Sequence, residues 1–420
     1  MKKVIFVVID GLGDLPCKEL KGKTPLEAAN SPNLDALAKE GQCGYMYPIK
    51  EKIAPESDVA VISILGYDPY KYYTGRGPLE AYGAGIKFTP GDLVLRTNFA
   101  TVELVKNKKK LIDRRAVRNL TTSEAFALAR EINKKIKLQF PFTFTPTVQH
   151  RGILVIKGGF SDNISNTDPA YKKAGTFGLA VPKSNEVVDA IPLDDDATSV
   201  LSARLVNSFV EQSFFVLNNN PVNIKRKKSK QFPANIILTR DAGTSLPDFP
   251  KKKEKWAVIC SMPLEKAIAK LCGMDILKFK YPELKTTNIY KALYESLAIH
   301  IKYAKRYIQK KLRKYDAFYI HIKETDIPGH DGLPFDKKKM IEYIDKEFIG
   351  FLREFCKDEI IIVTADHSTP CSLKMHSADP VPVLVYGKGS GNMKEFSEKA
   401  CKKGKLGKIY GLELLKKIGM

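Results

Sequence analysis

Glu359-Ile-Ile-Ile-Val-Thr-Ala-Asp366-His367-Ser-Thr-Pro370 decides the fold. Its β-branched run, Ile360 to Thr364, predicts a short buried strand. The strand ends on an acid and a histidine side by side. Nine residues past His367 stands His376, just before another strand-like run that ends near Tyr386. Rigid strands whose terminal loops carry carboxylate and imidazole are a common frame for a metal site. The ordinary alternative is a polar turn that contains two histidines.

Two further stretches weigh against that alternative. Val4-Ile-Phe-Val-Val-Ile9 is an apolar run that leads straight into Asp10-Gly-Leu-Gly-Asp14. Ala317-Phe-Tyr-Ile-His-Ile322 is another, and it leads to Asp326-Ile-Pro-Gly-His330. In an open α/β sheet, ligands bind outside the carboxyl ends of the strands. Asp10, Asp326, His330, Asp366, His367 and His376 are therefore expected to meet at one sheet edge. Three of the chain's six histidines fall in this set.

The 420 residues favour two domains over one core. No apolar run approaches the length of a membrane span, and the six-residue run after Met-Lys-Lys is too short for a signal peptide. Seven scattered cysteines without a Cys-x-x-Cys pair are expected of reduced thiols in a cytoplasmic protein. The net charge of +22 raises the prospect of a nucleic-acid surface. The densest runs, Lys106 to Lys110, Lys225 to Lys230 and Lys251 to Lys255, lie between strand-like segments, where solvated loops carry such charge. No recognition helix, zinc finger or stacking-aromatic motif accompanies them. A positive field also gathers small anionic substrates.

Ser31-Pro-Asn to Gly41 reads as a helix, with Ser31 as N-cap and Gly41 as stop. Pro55-Glu-Ser57-Asp58 enters a helix of small apolar residues, which puts Ser57 near a helix N-terminus. There it is either a cap or a nucleophile activated by a metal. Tyr72 to Gly85 is glycine-rich without Walker or dinucleotide spacing; its Arg76 either meets an anion or braces Glu80. From 88 to 255 the texture changes to mixed strands and helices, expected of an α+β unit inserted into a domain formed by 1–87 and 256–420. Beyond it, Thr286 to Lys311 and Lys337 to Phe355 read as long helices. The candidate ligands are Asp10, Ser57, Asp326, His330, Asp366, His367 and His376. Three aspartates and a serine alkoxide match the charge of two divalent ions, and mixed carboxylate and imidazole favours manganese or zinc over calcium. Two such ions, roughly 3.5–4 Å apart, clamp the oxygens of a phosphoryl transfer.

With these residues in place, the chain resembles the archaeal-type 2,3-bisphosphoglycerate-independent phosphoglycerate mutases of the alkaline phosphatase superfamily. The resemblance covers most of the chain. It is carried by Val8-Ile-Asp10-Gly-Leu-Gly-Asp14, Pro55-Glu-Ser57-Asp-Val-Ala, Tyr73-Thr-Gly-Arg-Gly-Pro-Leu-Glu-Ala, Asp113-Arg-Arg, His321-Ile-Lys-Glu-Thr-Asp326 with His330-Asp-Gly, and Thr364-Ala-Asp-His367. It implies an alkaline-phosphatase-like open-sheet metal domain with an inserted domain that closes over the site and keeps water from a phosphoserine. By position, Asp326, His330 and His376 bind one ion, and Asp10, Ser57, Asp366 and His367 the other, with manganese favoured over zinc or magnesium. Ser57 takes the phosphoryl group of 3-phosphoglycerate and returns it to the 2-hydroxyl, a step of glycolysis and gluconeogenesis. Lys266 falls where the family places a lysine at a strand-to-helix step. Arg114, Arg115, Arg118, Arg151 and Arg240 are the insert's candidates for the anionic substrate, and Asp113 and Asp168 its candidate proton handlers.

Three departures bear on substrate contacts and leave the metal set intact. Asn219-Asn-Pro-Val-Asn223 stands where the family has His-Pro, Tyr281-Pro-Glu-Leu-Lys285 replaces a glycine-rich turn, and Val117 stands where glycine is usual. The rival readings are a metal-dependent phosphohydrolase or another phosphomutase of the same superfamily, a catalytically silent member, and a basic nucleic-acid-binding protein. The last gives no reason for the ligand set. The leading reading expects a phosphoglycerate substrate with neither nucleic acid nor membrane as partner, and is compatible with a homo-oligomer.

Overall fold

The computed structural model describes residues 2–175, 177–181, 185–279, 288–391 and 393–420. Its strands are β1 (Val4–Ile9), β2 (Gln42–Tyr47), β3 (Leu93–Val105), β4 (Lys108–Asp113), β5 (Phe142–Pro146), β6 (Arg151–Ile156), β7 (Tyr171–Ala174), β8 (Phe177–Ala180), β9 (Ile236–Gly243), β10 (Trp256–Cys260), β11 (Asp275–Ile276), β12 (Ala317–Ile322), β13 (Ile360–Thr364), β14 (Val381–Tyr386) and β15 (Gly407–Tyr410). The chain divides into two compact units. The first is Met1–Tyr72, Asp248–Pro282 and Leu293–Met420; the second is Tyr73–Pro247 with Glu283–Ala292.

The first unit is built on an eight-stranded sheet in the order β11-β10-β12-β1-β13-β14-β2-β15. Strands β11, β10, β12, β1 and β13 run parallel. Parallel strands are covered on both faces and so read as unbroken apolar runs. All residues of β1, β12 and β13 are buried, as that rule requires. β14 runs antiparallel to both its neighbours, β13 and β2, and β15 pairs parallel with β2. Because β1 pairs with β12 at Ile9↔Ile322 and with β13 at Val8↔Thr364, the three strands finish level at one edge. The helix Ser57–Ile64 is buried at every position, so its sequence shows no polar stripe. Ser31 precedes the helix Pro32–Glu40 but makes no side-chain cap bond. Asp345 caps that helix instead, its carboxylate accepting the Asn33 and Leu34 N–H groups at 3.2 and 2.7 Å. Asp345 opens a wider π turn, Asp345–Ile349, inside the helical stretch that runs on to Phe355.

The second unit holds a five-stranded antiparallel sheet. Long β3 pairs with β6 over Leu93–Asn98, with β9 over Val94–Ala100, and with β4 over Thr101–Val105. β5 extends the sheet beyond β6, and β7 and β8 form a separate hairpin. Helices Thr122–Lys135, with a capping box of Thr121 and Glu124, and Ala197–Asn218 share its core with Leu95, Phe99, Phe144 and Ile236.

The units divide after Tyr72 and after Pro247, each earlier in the chain than the expected 88 and 255. The helix Arg76–Ala84 lies on β3 and β9 and belongs to the second unit. Gly77 permits that closeness, since a Cβ there would come within 2.2 Å of the Val94 carbonyl oxygen. At the other end, Phe249 packs on Tyr67 and Lys252 donates to the Leu65 carbonyl, so Asp248–Lys255 goes with the first unit. Of the three departures, the first became a helix start: Asn220 caps Pro221–Lys228 by accepting the Val222 N–H. Tyr281–Lys285, and the expected helix start at Thr286, lie outside the described residues; the helix is described from Ile289 to Lys311. The third, Val117, has no described side chain. No described helix is long and apolar enough to cross a membrane. The seven cysteines are buried and free of disulfides.

Candidate metal centre

Asp10, Asp326 and Asp366 each follow the end of a central strand. The Asp10 N–H donates to the Ile322 carbonyl at 2.9 Å, and its own carbonyl accepts the Thr325 hydroxyl at 2.6 Å. Asp366 Oδ1 accepts the Gly11 and His367 N–H groups at 3.2 and 3.1 Å. Thr369 Oγ1 donates to Asp326 Oδ1 at 2.9 Å and lies 3.0 Å from His367 Nδ1. A hydroxyl has one proton to give. Since Thr369 spends it on a carboxylate, His367 Nδ1–H must donate to Thr369, and Nε2 keeps its lone pair. Nδ1 of His376 meets the Pro55 carbonyl at 3.0 Å and Nδ1 of His330 the Lys374 carbonyl at 3.2 Å. Carbonyls only accept, so both Nδ1 atoms carry protons. All three imidazoles are thus held from behind through Nδ1, the arrangement usual for metal-ligating histidines.

Two groups result. Ligand atoms of Asp326, His330 and His376 lie within 4.8 Å of one another, as do those of Asp10, Asp366 and His367. The His367 and His376 rings stack at 3.7 Å, which joins the groups. Ser57, first residue of its helix, puts Oγ 3.1 Å from His367 Nε2. The structure therefore brings all seven expected ligands together. Among the described residues, the buried oxygens Asp10 Oδ1 and Asp366 Oδ2 have no hydrogen-bond partner. Buried carboxylate oxygens seldom go unmet, and a divalent cation among these donors would satisfy both. Burial, and then the His376 charge, lower His367 to about 3, leaving the neutral imidazole that ligation needs. Burial opposes ionisation of Asp326, but His330 and Lys323 hold its carboxyl well below the usual range.

Sequence reasoning missed several neighbours. Lys323 pairs with Asp10 and lies 3.6 Å from Asp326. His321 lies 2.9 Å from Asp10, and Glu56 3.2 Å from His376. Glu265 joins Asp10 and His321 in a third cluster. His321 hides inside an apolar strand, whereas Lys323 and Glu56 were within reach, being next to ligand motifs. Lys266 follows Glu265 in the helix Pro263–Leu271 and is half-buried.

The second unit gathers guanidinium groups. Arg76 braces Glu80 at 2.7 Å, and Arg96 shares the same oxygen at 3.2 Å. Arg114 forks onto Asp168 with two bonds of 2.8 Å. Arg240 lies 3.6 Å over the Tyr171 ring and 3.5 Å from Asp241. Burial, then the charges of Arg240 and Arg76, lower Arg96 to about 9. Arg151 also acts on Arg96, and Arg118 and Arg151 both act on buried His150. Such a surplus of buried positive charge suits an anion. Arg115 is anchored by its backbone N–H on Asp113 Oδ1 at 2.7 Å. Burial raises the Asp168 carboxyl, but Arg114 pulls it below the ordinary value, which makes it an orienting partner for Arg114.

The family model described as 2,3-bisphosphoglycerate-independent phosphoglycerate mutase matches residues 38–223. The enzyme of that description from Aeropyrum pernix is 38% identical over 97% of this chain and 96% of its own length. That of Archaeoglobus fulgidus is 39% identical over 98% and 96%. Among solved structures, the PH0037 protein of Pyrococcus horikoshii shares 31% identity and a TM-score of 0.72 over 99% of this chain and 96% of its own. The cofactor-independent phosphoglycerate mutase of Thermoplasma acidophilum shares 29% and 0.55 over 99% and 98%.

Proposed function

The chain belongs to the family of 2,3-bisphosphoglycerate-independent phosphoglycerate mutases, and on that premise we propose that it interconverts 3- and 2-phosphoglycerate through a phosphoserine at Ser57. The observation that carries the proposal is Ser57 Oγ, at a helix N-terminus and 3.1 Å from His367 Nε2, beside two carboxylate–histidine groups. Asp326, His330 and His376 would hold one divalent ion, and Asp10, Ser57, Asp366 and His367 the other, with manganese the first choice for such a donor set. Bound ions neutralise charge and orient an in-line phosphoryl displacement.

The chain's own residues supply the rest. Ser57 Oγ forms a bond to phosphorus as the bond to the substrate's C3 oxygen breaks. The glycerate 2-hydroxyl then attacks the same phosphorus, and Ser57 leaves. The N–H groups of the first helical turn favour the bound phosphoryl group. The guanidinium cluster of the second unit is suited to an anion, with Asp168 orienting Arg114 and Asp113 as the candidate proton handler. A cytoplasmic role in glycolysis and gluconeogenesis goes with this reading.

The test incubates metal-reconstituted protein with 3-phosphoglycerate and follows 2-phosphoglycerate and free phosphate in one sample. Formation of 2-phosphoglycerate without bisphosphoglycerate is expected; phosphate alone would mean a phosphohydrolase. Ser57→Ala is expected to lower turnover by three orders of magnitude or more with its melting temperature unchanged, and acid-quenched wild type to carry phosphate on Ser57. Appreciable turnover by the variant would refute the nucleophile.

A further inference from the structure

Tyr319, His321 and Lys323 alternate along β12 and just beyond its end, so they share one face. All three bear on Asp10. The Tyr319 hydroxyl meets His321 Nδ1 at 2.8 Å, and His321 Nε2 meets Asp10 Oδ2 at 2.9 Å. Lys323 Nζ donates to the same Asp10 Oδ2. Asp10 Oδ1 is left without a hydrogen-bond partner among the described residues, 3.5 Å from His367 Nε2. One carboxylate oxygen is thus doubly held while its twin faces the neighbouring donors. All of these side chains are buried except that of Lys323, which is 13% exposed.

We propose that Tyr319, His321 and Lys323 are positioning residues that make Asp10 a one-oxygen ligand, through Oδ1, for the ion of the Asp10–Asp366–His367 group. The proposal rests on the reading of that group as an ion site. It also bears on the third cluster, Asp10, Glu265 and His321. Both ring nitrogens of His321 are engaged, Nδ1 by the Tyr319 hydroxyl and Nε2 by Asp10 Oδ2, so His321 serves Asp10 and does not hold an ion of its own.

The experiment titrates metal-free protein with manganese by calorimetry and records the visible spectrum of the cobalt-loaded form. Wild type is expected to take two ions; three would overturn the proposal. His321→Leu is expected to weaken one ion about tenfold to a hundredfold and leave the other, and to shift the cobalt bands at saturating cobalt. His321→Gln, which keeps an N–H donor, is expected to recover most of the loss. If His321→Leu does not fold, Tyr319→Phe keeps the ring volume and is expected to weaken the same ion several-fold with a smaller spectral shift. Wild-type affinity and spectrum in whichever of these two variants folds would overturn the positioning role. His367→Ala is the control: if it leaves the titration unchanged, the ion-site reading fails on its own account; if it loses one ion while the β12 variants behave as wild type, only the positioning role fails.

Discussion

Lys337 is a lysine with no exposed surface. Its ammonium donates to Asp14 Oδ2 at 2.7 Å and to the Thr369 and Gly13 carbonyls at 3.0 and 3.2 Å, which uses all three of its protons. Asp14 in turn accepts the Cys371 and Leu15 N–H groups at 3.0 and 2.8 Å. One ion pair therefore ties the loop after Asp10 to the loop after His367. Replacing Lys337 by Met leaves Asp14 buried and uncompensated, at a cost of about 3–5 kcal/mol. The denaturant midpoint of Lys337→Met is expected to fall accordingly, and adding Asp14→Asn to recover part of the loss. Nothing in the sequence announced this pair, because Asp14 and Lys337 meet only when the sheet is assembled. Ser57 shows the opposite case. Its Pro-Glu-Ser-Asp setting already placed it at a helix start, whereas its 3.1 Å approach to His367 belongs to the fold.

At the scale of elements, the junction between β1 and its loop leaves no room for a side chain at Gly11. Gly11 has φ +62°, and a Cβ there would come within 2.7 Å of Thr369 Oγ1 and 2.9 Å of Asp326 Oδ1. The left-handed backbone adds about 1 kcal/mol of strain for any other residue. Gly11→Ala is expected to displace the Thr369–Asp326 bond and weaken ion binding at least tenfold, read by manganese titration. In the second unit, the helix Arg76–Ala84 carries Glu80 to the arginines of the sheet. Burial raises the Glu80 carboxyl, but Arg96, Arg76 and Arg151 bring it down to about 2, against an ordinary 4.5. A folded value below the unfolded one adds stability that is complete above about 4.5 and is lost as pH falls toward 2. The gap corresponds to about 3 kcal/mol. Glu80→Gln is therefore expected to lose about that much at pH 7, and the difference from wild type to shrink between pH 4.5 and pH 2 in denaturant titrations. The sequence left open whether Arg76 met an anion or braced Glu80; a helix that sets them four residues apart makes them neighbours.

At the scale of the molecule, the residues proposed to hold the ions come from β1, β12, β13, the helix at Ser57 and the loop at His376, all in the first unit. An ion that binds the folded site stabilises every element contributing a ligand. Removing metal with a chelator is expected to speed amide exchange at the carboxyl ends of β1, β12 and β13, with the β3–β6–β9 sheet of the second unit unchanged; equal acceleration in both sheets would contradict this. The change of texture read between 88 and 255 does not coincide with the borders of the two compact units. The glycine-rich stretch from Tyr72 to Gly85 comes before the expected border at 88, and packing on β3 and β9 makes its helix part of the second unit.

The sequence by itself determined the central strands β1, β12 and β13, the acids and histidines that follow them, and the serine at its helix start. These are written in local periodicity and spacing, which the neighbouring residues enforce. The tertiary structure alone decided that β1 lies between β12 and β13 in level register, that Asp345 rather than Ser31 caps the Pro32–Glu40 helix, and that His321, Lys323 and Lys337 face Asp10 and Asp14. Those contacts join residues more than 300 positions apart. They arise from burial and charge pairing across space, on which local sequence order has no hold.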